Sequence, residues 1–389
     1  MKKALIFFSE DSLTPSGGPA GYLYNLNLGL QSIKSDEVEI SFFNKAPRPL
    51  RETVKKKNMV PKRLREFRRA VDDMMYEKKS YPVFEEMYDY DLIHFHSTDM
   101  MFLNREFLKN YKGKVVLTSH SPCAKYQEKL EWLNPFDYKL FKKKIDRIEN
   151  IDIYGFERAD NIIFPCPEAE EPYFNTWERY ESIRDEKKLK YMTTGIVGCE
   201  PKIDRSEFRK KYNIPDDAFV VSYAGRHNEI KGYTDLKKIG EKLLENENVY
   251  FLIAGLEEPI AGLDHERWIE VGWTNDPHSL IAASDVFILP NKETYFDLIL
   301  LEVISLGVPL VLSETGGNKY FKKYGSDGFM FYNTVDEAVS TLEEFSKKTE
   351  AERVECGKSV RNIFDRDFTV KTFTENYINI ITEILNSGE

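Results

Sequence analysis

Short β-branched or aromatic runs alternate with helical patterns from end to end of this chain, and after a polar interval near its middle the alternation begins again. Strands separated by helix-length segments pair in parallel, because a parallel crossover needs a dozen or more residues and is usually a helix. The first series lies at 4–8, 38–43, 92–96, 115–120 and 161–166. The second lies at 220–224, 249–254, 286–290, 309–313 and 329–332, short runs of the kind buried on both faces of a sheet. Between the series, residues 198–217 are polar, hold Pro201 and Pro215, and contain a short helical pattern at 206–212. A chain of 389 residues exceeds what one ordinary core holds. The expected fold class is therefore α/β, with two doubly wound parallel-sheet, Rossmann-like domains at 1–197 and 218–366 and a connector at 198–217. Residues 367–389 are expected to form a helix that packs back on the first domain.

In doubly wound sheets ligands bind beyond the carboxyl ends of the strands, so the loops there are where chemistry is sought. The loop after 220–224 reads Gly225, Arg226, His227, Asn228, Glu229, Ile230, Lys231, Gly232. A glycine directly after a buried strand permits a tight turn, and an arginine and a lysine five residues apart can both address one anion near the next helix, a diphosphate for example. The alternative is an ordinary strand-to-helix turn with two solvated cations. In the first half, Ser16, Gly17, Gly18 and Pro19 precede a helical pattern at 20–33, and the glycines allow close backbone approach to a ligand. His120 closes a strand at its carboxyl end, where a site residue belongs. His94 and His96 are expected to point to opposite sides of their sheet and rank below it.

The stretch 290–317, PNKETYFDLILLEVISLGVPLVLSETGG, carries an acidic loop, a Phe step, a helix with a second glutamate and a Gly-x-Pro turn. In these features it resembles the retaining glycosyltransferases of family four (glycosyl transferases group 1), which have the GT-B fold. Loop 225–232 is similar to that family's diphosphate-binding turn, and Gly17-Gly18 to its N-terminal glycine loop, so the resemblance spans most of the chain. It implies two domains facing across a cleft. It also implies that Gly17, Gly18, Arg226, Lys231, Thr294, Leu298, Ile299 and Glu302 bind the donor, and that His120, Arg226, Lys231 and Glu293 serve catalysis. Arg226 and Lys231 would hold the diphosphate, and the Glu302 carboxylate would accept both hydroxyls of the ribose. The sequence departs from the family at two points. Eight residues rather than seven separate Glu293 from Glu302, so either Glu293 or Thr294 fills the first acidic position. Asp297 stands where the family has glycine and is compatible with an anionic donor if it caps the helix and points away.

The implied activity is retaining transfer of a hexose from a nucleotide-diphosphate sugar, a UDP-sugar, to a glycan, lipid-linked or protein-linked acceptor in surface polysaccharide or glycoconjugate biosynthesis. A nucleotide-sugar epimerase or phosphorylase of the same fold, or a non-catalytic partner subunit, also fits these residues. No cofactor is expected, the nucleotide sugar being a substrate, and no metal, since the two cations can stabilise the leaving diphosphate. The four cysteines show no ligand spacing and are expected as free thiols.

A net charge of -10 argues against nucleic acid as a partner. No run reaches membrane-span length, which leads to the expectation of a cytoplasmic protein. Residues 55–79 nevertheless set Lys55, Lys56, Lys57, Lys62, Arg63, Arg65, Arg68 and Arg69 among Val60, Leu64, Phe67, Val71 and Met74 at helical spacing. Lys142, Lys143 and Lys144 repeat the theme. Such faces suit peripheral contact with an anionic inner-membrane surface, or else are solvated.

Overall fold

The computed structural model describes residues 1–8, 13, 15, 18–43, 61–131 and 133–387. It divides into two compact units, the first formed by Met1–Pro165, Pro172–Met192 and Thr374–Glu389, the second by Cys166–Glu171 and Thr193–Phe373. The interval 198–217 lies within the second unit.

Each unit is built on a six-stranded sheet. The first contains β1 (Lys2–Phe7), β2 (Val38–Phe43), β3 (Leu92–Phe95), β4 (Lys114–Leu117), β5 (Asn161–Phe164) and β6 (Leu189–Tyr191), in the order β2-β1-β3-β4-β5-β6. The second contains β7 (Phe219–Ala224), β8 (Val249–Ala254), β9 (Trp268–Gly272), β10 (Val286–Leu289), β11 (Leu310–Ser313) and β12 (Phe329–Tyr332), in the order β12-β11-β10-β7-β8-β9. All the pairings are parallel. In both sheets the order reverses beside the unit's first strand, at β1/β3 and at β7/β10. The loops leaving the carboxyl ends of those strands separate to opposite faces and open a crevice, the place where such folds hold ligands.

The strands of the second unit are apolar at consecutive positions because both faces are covered. Val220, Leu252, Phe287 and Leu310 belong to one core with Leu301 and Ile304 of the helix Leu298–Ser305. Their neighbours Val221, Phe251, Ile288 and Val311 belong to the other, with Leu236 and Ile239 of the helix Tyr233–Leu243. The period of two along a strand thus sorts one continuous hydrophobic run into two cores.

All ten expected strands are present, with ends shifted by up to three residues. Both strands that were not anticipated, β6 and β9, are edge strands, partly exposed and therefore mixed in composition. The helix expected at 206–212 runs Arg205–Lys211, and its first turn is capped by Asp204, whose side chain accepts from Glu207 N at 2.8 Å. The helix expected over 55–79 is shorter, Lys62–Met74; residues 55–60 lie outside the described residues. Its packing also differs. Ala70 and Met74 are buried, whereas Leu64 and Val71 of the anticipated stripe are 43% and 37% exposed. The helix is fixed by Arg63, whose guanidinium donates to both oxygens of Asp137, a carboxylate buried at the start of the helix Pro135–Arg158.

Candidate functional site

At the β7/β10 crossover three loops are tied together. The loop after β7 is closed by Lys231 N donating to Asn228 Oδ1 at 2.9 Å and by Gly232 N donating to Glu229 O at 3.0 Å. Gly232 has φ +67°, and a Cβ there would stand 1.6 Å from the carbonyl oxygen of Pro290, at the end of β10. Only glycine lets the two loops approach this closely. Lys292 N then donates to Ile230 O at 2.9 Å. The loop after β11 joins through Ser313 Oγ on Asn291 O at 2.6 Å, Thr315 Oγ1 on Lys292 O at 3.0 Å and Gly317 N on Thr294 O at 3.2 Å. A Cβ on Gly317 would lie 2.1 Å from Tyr295 O, so this contact too requires glycine.

The charged groups of the site follow from this bracing. Arg226 is exposed and forms no ion pair among the described residues. Lys231 Nζ lies 2.6 Å from Asp297 Oδ2, which also accepts from Asn291 Nδ2. Burial pushes the Asp297 carboxyl up, but Lys231, Asn291 and Arg226 more than offset it and hold it below the usual carboxylate range. Asp297 occupies the N-cap position of the helix Leu298–Ser305 but makes no side-chain capping bond. The expectation that it caps the helix and points away is therefore overturned: a lysine five residues beyond Arg226 is a stronger partner than two backbone N–H groups.

Glu302, one turn into that helix, places Oε2 3.2 Å from His278 Nε2. His278 belongs to the helix Pro277–Ala282. Cys199 and Glu302 beside it push the imidazole up to about 10, so it is charged near neutrality and holds the carboxylate by one oxygen. Of the two candidates for the first acidic position, Glu293 is half-buried, while the Thr294 side chain is buried and its Oγ1 has no hydrogen-bond partner among the described residues. Leu298 and Ile299 open the helix, half-buried against the core.

In the first unit His120 has φ 58°, a left-handed conformation uncommon for a side-chain-bearing residue and often found at functional sites. Its Nε2 lies 2.8 Å from His96 Nδ1, and Tyr22, from the helix Gly18–Ser32, packs against it edge to face with the ring centroids 4.7 Å apart. His94 and His96 share one side, with ring centroids 4.1 Å apart. The expectation that they diverge is wrong, because positions i and i+2 of a strand face the same way. His94 is further fixed by Tyr377 Oη and Thr118 Oγ1, each at 2.9 Å. Burial lowers all three imidazoles, His94 and His120 to about 3, so the cluster is neutral at ordinary pH. Gly18 begins the helix Gly18–Ser32; Gly17 lies outside the described residues. Each unit thus gathers its own expected side chains. The sequence reading missed His278 and Tyr22 and ranked His96 below His120, although the pairing of His96 with His120 was within reach from strand periodicity alone.

Two parallel Rossmann-like sheets whose crossover loops carry the polar residues define the GT-B fold class. Residues 204–362, all in the second unit, match the family described as Glycosyl transferases group 1. The UDP-Gal:alpha-D-GlcNAc-diphosphoundecaprenol alpha-1,3-galactosyltransferase of Escherichia coli is 24% identical over 271 residues, 65% of this chain and 65% of that protein, just under two thirds of its length. The O-antigen biosynthesis glycosyltransferase WclY of Escherichia coli is 21% identical over 325 residues, 79% of this chain and 83% of that one. Among solved structures, sucrose-phosphate synthase from Thermosynechococcus elongatus superposes with a TM-score of 0.68 at 16% identity, covering 100% of both chains. Anabaena HepE in complex with UDP superposes with a TM-score of 0.63 at 14% identity, covering 98% of this chain and 100% of that one. At such identities the structural likeness carries the fold.

Proposed function

We propose that this protein is a retaining glycosyltransferase that moves a hexose from a UDP-sugar to a glycan or lipid-linked acceptor in surface polysaccharide biosynthesis. The observation that carries the reading is the junction of the loops after β7 and β10 at the crossover of the second sheet. There an exposed Arg226, an anchored Lys231 and an uncapped helix N-terminus leading to Glu302 converge. Arg226 and the uncapped N–H groups take the diphosphate, with Lys231 completing its charge balance as the bond to the sugar breaks. Glu302, steadied by His278 through Oε2, accepts the ribose hydroxyls. Glu293 and Thr294 border the sugar, and Leu298 and Ile299 the nucleotide. The leaving diphosphate itself accepts the acceptor's proton on the same face, so no metal is needed. The galactosyltransferase and WclY, acting on a lipid-linked diphosphate and in O-antigen biosynthesis by their names, support the acceptor class.

Calorimetric titration with UDP and its 2′-deoxyribose counterpart, in excess chelator, tests this reading. The parent binds UDP without metal and prefers ribose, and Glu302→Gln loses the preference, because an amide is a poorer acceptor for a diol than a carboxylate. Binding only after Mg²⁺ is restored, or equal preference in both proteins, would count against it.

The lipid-linked acceptor places the first unit at a membrane surface. Among the described residues no helix is long and apolar enough to cross a membrane. The helices Lys62–Met74 and Pro135–Arg158 instead expose Leu64, Val71, Phe136 (68%) and Leu140 (56%) beside Arg65, Arg68, Arg69, Lys142, Lys143 and Lys144. Each cation close to an anionic surface contributes about 1 kcal/mol, and salt screens it. The protein is expected to co-sediment with anionic but not zwitterionic vesicles, and to be released by salt and by charge reversal at Arg65, Arg68 and Arg69. Equal partition onto both vesicles, or none onto either, excludes this surface as the contact.

A further inference from the structure

Cys199, His278 and Glu302 come from three separate pieces of the second unit, yet their ligand atoms all lie within 4.8 Å of one another. Cys199 sits in the chain before the helix Arg205–Lys211, His278 in the first turn of Pro277–Ala282, and Glu302 in the middle of Leu298–Ser305. The other three cysteines, Cys123, Cys166 and Cys356, are buried, whereas Cys199 is partly exposed, as are the His278 and Glu302 side chains at 31% and 28%.

The backbone around these groups is braced before any ligand arrives. Cys199 N donates to Ser305 Oγ at 3.0 Å, and that hydroxyl donates to Glu302 O at 2.7 Å, which ties the thiol's segment to the glutamate's helix. Lys202 N and Ile203 N both donate to Ser279 Oγ, at 2.9 and 3.1 Å, which ties the same segment to the residue next to His278. The backbone segments that carry three side chains of different softness are thus tied together by bonds that do not involve those three side chains.

We propose that this cluster is a Zn²⁺ site, with Cys199 Sγ, a ring nitrogen of His278 and a carboxylate oxygen of Glu302 as ligands and water in the fourth position. A thiolate, an imidazole and a carboxylate match zinc, while Mg²⁺ and Ca²⁺ take oxygen sets. Tetrahedral bonds of about 2.0–2.3 Å put ligand atoms about 3.5 Å apart. His278 Nε2 and Glu302 Oε2 already stand at 3.2 Å and all three ligand atoms lie within 4.8 Å of one another, so the set has to contract only slightly to close on an ion. A thiolate and a carboxylate beside a neutral imidazole carry two negative charges between them, which balance the charge of the metal. The site does not depend on the donor reading above, although it draws on two of the same residues, Glu302 and His278.

Titration of the full-length, metal-stripped protein with Co²⁺ as a spectroscopic stand-in tests the site. One equivalent is expected to give a thiolate-to-cobalt charge-transfer band and tetrahedral ligand-field bands, both abolished by one equivalent of Zn²⁺. Cys199→Ser removes the charge-transfer band. His278→Gln keeps the thiol but weakens Zn²⁺ binding beyond the about 10- to 100-fold that even an outer-shell partner costs. Circular dichroism identifies any variant that fails to fold, and the other variant then carries the test. Absence of the band in the parent, its survival in Cys199→Ser, or unchanged affinity in His278→Gln each overturns the proposal.

Discussion

Replacing Arg226 by alanine is expected to weaken UDP binding by about 1.5–3 kcal/mol, roughly 10- to 150-fold, with little change in folding. The side chain is exposed and forms no ion pair among the described residues, so its removal leaves no buried group behind. Lys231→Ala should be the more damaging change. It removes the second cation and also strands Asp297, whose carboxylate is 19% exposed and has only Asn291 left to donate to it among the described residues. An anion then faces an anion, and the desolvated carboxylate that Lys231 compensated becomes a cost in the free protein as well. The double change Lys231→Ala with Asp297→Asn separates the two contributions. If repulsion by the stranded carboxylate dominates, the double variant recovers much of the lost affinity; if the missing lysine dominates, it binds no better than Lys231→Ala. Calorimetric titration with UDP at fixed salt reads all three, and affinity unchanged in both single variants would remove the donor site from this loop.

The two sheets were legible because a parallel strand covered on both faces must be a short continuous apolar run, and ten such runs stand out from a chain that is 31% charged. β6 and β9 were hidden by the same logic, since an edge strand need not be apolar: β9 carries Glu270, which accepts from Tyr233 Oη at 2.5 Å. The loop chemistry was legible where it depends on neighbours in sequence, as with Gly225, Arg226, Lys231 and Gly232. It was illegible where it depends on long-range pairing. That Lys231 belongs to Asp297, 66 residues on, and that Glu302 belongs with His278 and Cys199, 24 and 103 positions away, follows from strand order, which no local pattern encodes. The apolar stripe at 64–74 held only in part, with Met74 buried and Phe67 half-buried against the core but Leu64 and Val71 exposed, for a related reason. Helical spacing says which residues share a face, but the neighbouring helix decides which face is covered, and Arg63 with Asp137 turns Ala70 and Met74 inward.

Gly232→Ala is expected to be the most destabilising single methyl the second unit can receive at its candidate site. The positive φ alone costs a side-chain-bearing residue about 1–3 kcal/mol. The new Cβ would in addition stand 1.6 Å from Pro290 O, a backbone atom at the end of a central strand that cannot swing aside as a side chain would. Gly325 supplies the control, for it has φ +57° with nothing within 4 Å of an added methyl, so Gly325→Ala isolates the conformational cost. The difference between the two variants should therefore be about 3 kcal/mol or more, or about 6–12 °C in melting temperature for a unit of this size. Relief of the clash requires the loop 225–232 to part from β10, which breaks the bond from Lys292 N to Ile230 O and draws Lys231 away from Asp297. Calorimetric melting should then show a lowered transition in Gly232→Ala, and UDP should bind it weakly even where it remains folded. Equal melting of the two glycine variants, with UDP affinity retained, would mean that the approach of these loops is not what builds the site.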